Sequence, residues 1–171
     1  IEPKSPEDLN NLAVTYDLLG EKTKAAEHYN KVLDIRPKQP EVYLNLGNLL
    51  LSLNRFDEAA LTFRMGLAIS PKNLSIPPYL VHVLQQLCSW ENLQGMVEQV
   101  INNTEEEIRL NERISATPFG LLSMPTTVSL RSRVTEQVAK KVEEYVAPSR
   151  KANPLTYASR AEGEKLRVGF V

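Results

Sequence analysis

Residues 6–20 read PEDLNNLAVTYDLLG, and 34 residues further on residues 40–54 read PEVYLNLGNLLLSLN. Each stretch opens on proline, which suits a first helical turn, and closes on Gly20 or Asn54, which tolerate the left-handed backbone that ends many helices. Between those ends the positions correspond: Leu9 with Tyr43, Leu12 with Leu46, Ala13 with Gly47, Tyr16 with Leu50. Their spacing of three and four residues places them on one face of a helix. The next stretch repeats too, pairing Ala25 with Ala59, Tyr29 with Phe63 and Val32 with Gly66 on a second helix. Pro3, Pro37 and Pro71 keep the same interval of 34, and Pro37 and Pro71 stop the second helices.

A helix–turn–helix unit with a 34-residue period is the signature of tetratricopeptide repeats. The expected fold is therefore all-α: a right-handed α-solenoid, or superhelix, with a helical connector and one terminal strand. Repeat one covers 6–39 and repeat two covers 40–73. The small residues Ala13, Gly47, Ala25 and Ala59 fall where the helices of a unit cross, and a larger side chain there would push the axes apart. A third unit is degenerate. Ile76 to Leu87 and Glu91 to Asn102 read as its helices, with Val81 and Leu93 in place of the small residues. The repeats thus occupy residues 1–102.

Residues 103–163 read as connector and linker. The charged run from Asn103 to Ile114 extends the preceding helix, and Glu105, Glu106 and Glu107 read as a solvated face. Ala116 to Thr127 reads as an ordered loop in which Phe119, Leu121, Leu122 and Met124 seek burial. Ser129 to Val146 is amphipathic, with apolar residues every four positions and Thr126 or Thr127 as its cap. Ala147 to Gly163, with Pro148 and Pro154, reads as a linker. Residues 164–171 end on Leu166-Arg167-Val168-Gly169-Phe170-Val171, which reads as the first buried strand of a further domain.

Composition narrows the functions. A net charge of −1 offers no attraction to nucleic acid or an anionic membrane, and 6% aromatic residues provide few stacking platforms. Cys88 alone excludes an internal disulfide and fits a reducing, cytoplasmic setting; two histidines make a zinc site improbable. No stretch is long and apolar enough for a membrane span. The chain opens on Ile1 rather than Met, so a preceding segment is expected. No catalytic residue, metal site or cofactor is expected within these 171 residues.

Three features carry a family resemblance. Asn11 and Asn45 share one repeat position, Cys88-Ser89-Trp90 precedes the last repeat helix, and the chain closes on the apolar strand. Together they resemble the O-linked N-acetylglucosamine transferases of bacterial, algal or plant type. The resemblance implies a repeat array that recruits substrates to a glycosyltransferase domain using a uridine-diphosphate sugar, with that domain beginning at the terminal strand. It also implies that Asn11 and Asn45, flanked by Asn10 and Asn48, line the inner surface and hold the backbone of extended polypeptide. A primary amide suits that task, having both donor and acceptor. The third unit departs, with Tyr79 at the equivalent position. Cys88 and Trp90 are expected to pack, Cys88 as a small buried hydrophobe.

The alternative is a non-enzymatic adaptor or scaffold. An adaptor that grips acidic C-terminal peptides would need cations on the first helices, whereas these carry Glu7 and Glu41, which repel a carboxylate. A third reading is self-association through Leu44 and Leu51 of repeat two.

Overall fold

A computed structural model describes residues 5–152. The expected strand at 164–171, most of the expected linker, and Pro3 lie outside the described residues. Seven α-helices follow one another: α1 (Pro6–Leu18), α2 (Lys22–Ile35), α3 (Pro40–Ser52), α4 (Phe56–Ile69), α5 (Pro77–Gln86), α6 (Leu93–Arg109) and α7 (Val128–Ala152), with a 3₁₀ turn at Gly120–Ser123 between the last two. Each helix packs on its sequence neighbour from α1 to α7, and α1 also touches α3. This is the all-α tetratricopeptide superhelix expected from the 34-residue period.

Local chemistry explains the helix ends. Proline occupies the first turn of α1, α3 and α5. Ser5 caps α1, its hydroxyl accepting the Asp8 amide at 3.1 Å. Asn73 holds the approach to α5 by accepting the Ser75 and Ile76 amides at 2.9 and 3.1 Å. Thr127 caps α7, accepting the Leu130 amide at 3.1 Å. At the other ends, Gly20 (φ 79°), Asn54 (φ 57°), Cys88 (φ 51°) and Asn111 (φ 55°) are all left-handed. In each case the next residue's amide reaches back to close the last turn: Glu21 to Tyr16, Arg55 to Leu50, Ser89 to Leu84, Glu112 to Glu107.

The small residues lie in the interior. Ala13, Ala25, Ala59 and Gly47 are buried. A β-carbon at Gly47 would sit 2.3 Å from the Phe63 ring, so glycine is what lets α3 and α4 close. Gly66 is similarly tight, a β-carbon there lying 2.8 Å from Ile76 Cδ1. Tyr29 and Phe63 are buried as expected, each stabilising by roughly 1.5–3 kcal/mol. One core runs from Leu9 through Phe63 and Leu84 to Val134.

The connector departs from expectation in three ways. First, α7 runs through Pro148 to Ala152 where a linker was expected. Pro148 is exposed, and Arg150 bridges it by donating to both oxygens of Glu143 at 2.8 and 2.7 Å. Second, Glu107 is only 3% exposed rather than solvated. Its carboxylate accepts the Ser115 amide at 2.9 Å and hydroxyl at 2.6 Å, and so turns the chain after α6. Third, Phe119 (80% exposed) and Leu122 (63% exposed) are not buried, although Leu121 and Met124 are. Residues three apart eclipse in a 3₁₀ turn, so 119 and 122 share the outer side and 121 and 124 the inner.

Candidate functional site

The repeat register aligns one stripe along α1, α3 and α5. It reads Glu7, Asn11, Val14, Leu18 on α1; Glu41, Asn45, Asn48, Ser52 on α3; and Tyr79, His82, Gln86 on α5. Asn11 is exposed, and Asn45 is half-buried. Asn10 and Asn48 are also half-buried, and their amide oxygens are buried without a hydrogen-bond partner. They are the two buried side-chain acceptors left unsatisfied among the described residues. Tyr79, which interrupts the asparagines, stacks on Phe63 with ring centroids 6.0 Å apart and planes 22° apart. Packing within the array accounts for that departure.

The electrostatics of this face are lopsided. None of α1, α3 and α5 contains lysine or arginine. Glu7 pairs with Arg36 from the end of α2. A backbone hydrogen bond and that guanidinium hold the Glu7 carboxyl below the ordinary carboxylate range. Glu7 is thus a poorer source of repulsion than its sequence position suggested. Glu41 and Asp8 are exposed and form no ion pair with another described residue.

Where the stripe leaves α5 it meets a concavity of about 360 Å³, bounded by His82, Gln85 and Gln86 on one side and Phe119 and Leu122 on the other. A second concavity, about 720 Å³, lies between Ile114 and the Val138, Val142 and Tyr145 side of α7. Gln137 and Lys141 border it and donate to the Glu112 carbonyl at 2.8 and 2.7 Å.

Several expected roles move. Cys88 is exposed and left-handed, not a buried hydrophobe. It occupies the helix-closing position of Gly20 and Asn54, at the same 34-residue interval, so the register of the repeats already contained its role. Trp90 is 66% exposed rather than packed, and lies in the connection between α5 and α6 that follows the Cys88 turn. Leu44 and Leu51 are half-buried and packed against the core. Phe119 and Leu122 were missed as surface residues; their spacing of three in a short turn was the available signal. No group of three His, Cys, Asp or Glu among the described residues is placed to hold a metal ion, and none of the described helices is long and apolar enough to cross a membrane.

Comparison with known proteins agrees with this geometry. Residues 3–76 match the tetratricopeptide repeat family pattern. The chain is 28% identical over 89 residues to small glutamine-rich tetratricopeptide repeat-containing protein 2 of Mycosarcoma maydis, which covers 52% of this chain and 25% of that protein. The chain therefore spans about a quarter of that relative's length. Among solved structures it superposes on MamA of Desulfovibrio magneticus RS-1, residues 41 to the end, with a TM-score of 0.55 at 18% identity, covering 84% of this chain and 77% of that one. It also superposes on SycD, a type III secretion translocator chaperone of Yersinia enterocolitica, with a TM-score of 0.52 at 15% identity, covering 79% and 88%. At these identities the likeness speaks for the fold.

Proposed function

We propose that this chain is a peptide-binding adaptor module that takes extended polypeptide on the stripe of α1, α3 and α5. The observation that carries the reading is the pair of unpartnered amide oxygens on Asn10 and Asn48. A buried acceptor without a donor costs about 1–3 kcal/mol, and such groups collect at functional positions. Rotation about the terminal side-chain torsion turns each amide towards an incoming peptide, where backbone N–H and C=O groups supply both partners. Asn11 and Asn45 extend the row. Such contacts read the peptide backbone and are tolerant of sequence. Repeat solenoids present elongated concave surfaces suited to this mode of binding.

The test is fluorescence anisotropy with a labelled peptide library. Asn45→Ala and Asn48→Ala together are expected to weaken binding by about tenfold, the equivalent of roughly 1.4 kcal/mol. Thermal stability is expected to hold, because neither side chain supports the core. Unchanged affinity in a double variant that still folds would end the reading.

A second reading keeps the same surface but attaches it to an enzyme, as the recruiting arm of a protein N-acetylglucosaminyltransferase whose nucleotide-sugar domain follows. Its support is the sequence resemblance: the asparagine register, Cys88-Ser89-Trp90, and the apolar run at 166–171. Sequencing the gene past codon 171 tests it: a nucleotide-sugar domain supports the transferase, and an unrelated domain or a stop leaves the adaptor.

A further inference from the structure

The turn after α6 is built as a ledge. Leu121, Met124 and Ala116 are buried beneath it. Gln85 of α5 donates to the Ser123 carbonyl at 2.9 Å, which pins the turn to the last first-helix of the array. Thr117 accepts the Gly120 amide at 2.9 Å, Thr126 donates to the Leu121 carbonyl at 3.0 Å, and Arg131 donates to the Thr126 carbonyl at 2.9 Å. Despite this support, the turn displays Phe119 and Leu122 to solvent, facing His82 and Gln86 across the 360 Å³ concavity. Large apolar side chains held out on a fixed support mark interaction sites, and a preordered anchor site loses little entropy on binding.

The position of the ledge matters as much as its chemistry. His82 and Gln86 continue the stripe that carries Asn45 and Asn48, and α1, α3 and α5 contain no lysine or arginine. The ledge beside the α5 end of the stripe is apolar, and Glu41, in the first turn of α3, is exposed without an ionic partner among the described residues. Aspartate or glutamate of a peptide would be repelled by Glu41, and lysine or arginine would meet complementary charge there.

We infer that this face selects an extended peptide that seats one bulky apolar side chain against Phe119 and Leu122 and directs Lys or Arg towards Glu41. The inference rests on the peptide-binding reading above and specifies its ligand. Backbone contacts from the asparagines hold the peptide, the ledge sets its register, and Glu41 sets its direction. The apolar anchor acts as buried aromatic anchors do in other interfaces, filling a fixed site that the rest of the peptide is aligned on.

The probe is a labelled Gly/Ser peptide of about twelve residues with a Phe near one end and two Lys near the other, long enough at roughly 3.3 Å per residue to cross neighbouring first helices. Phe→Ala and Lys→Glu forms of the probe are each expected to bind the full chain about tenfold more weakly. Phe119→Ser is expected to weaken the Phe probe by a similar factor and leave the Ala probe nearly unchanged, which couples those two side chains. Glu41→Lys is expected to invert the preference between the Lys and Glu probes. Phe119 and Glu41 are exposed, and a thermal melt confirms that each variant folds. If the probes bind and respond to Asn45→Ala but not to Phe119→Ser or Glu41→Lys, the ligand assignment is wrong and peptide binding stands. If no probe binds at all, both fall.

Discussion

Cys88 closes α5 with the same left-handed turn with which Gly20 closes α1. Two repeat lengths separate them, and both sets of backbone hydrogen bonds are kept. Glycine adopts that conformation freely, whereas a side chain with a β-carbon is strained there by about 1–2 kcal/mol. Cys88→Gly is therefore expected to raise the melting temperature by about 2–4 °C, and Cys88→Val to lower it by at least as much. Calorimetry on the three proteins decides it; a stabilising valine would mean that the turn is not left-handed in solution.

The contact between Gly47 and Phe63 predicts a steric cost. Gly47→Ala places a methyl group inside the aromatic ring's contact distance and is expected to destabilise by about 1–3 kcal/mol, although alanine is the better helix former. Phe63→Leu in the same chain is expected to recover part of that loss by making room. Denaturant midpoints for the single and double variants measure the coupling, and additivity would show that the ring is not what α3 meets.

Tyr29 provides a pH signature. It is 2% exposed, and burial, with a smaller contribution from Asp17, pushes its hydroxyl up to about 12 from an ordinary value near 10. The folded value lies above the unfolded one, so the stabilisation is fully present below pH 10 and is lost as pH rises towards 12. The loss is about 2–3 kcal/mol over that window. Tyr29→Phe is expected to flatten this slope in urea unfolding at stepped pH. A variant with the same alkaline slope as the parent assigns the slope to other groups.

Glu107 predicts a local effect. Removing a buried carboxylate that accepts two hydrogen bonds from Ser115 is expected to cost about 1.5–3 kcal/mol in Glu107→Ala. The Ser115 amide is expected to exchange with solvent faster, while amides in α1 to α4 change little. Uniform acceleration across the chain would instead indicate a global loss of stability.

Much of this was legible in the sequence because the repeats state it twice. The 34-residue period carried the four helices of the two regular units, their turns and their small crossing residues, all of which depend on local spacing and on contacts between neighbouring helices. The position of Cys88 was also present in that period, although its chemistry pointed to burial. The outcome was less legible where no repeat supplied a second copy. The charged character of Glu105, Glu106 and Glu107 could not reveal that one of them turns inward to Ser115, because that depends on how the chain folds back after α6. The apolar character of Phe119 and Leu122 could not reveal that they face out, because a 3₁₀ turn sorts its residues by threes and only packing onto α5 decides which side is covered. The row of amides was written in the sequence; that the oxygens of Asn10 and Asn48 lack donors, while Tyr79 has turned to Phe63, was decided by tertiary packing, which alone determines which polar atoms lose their water.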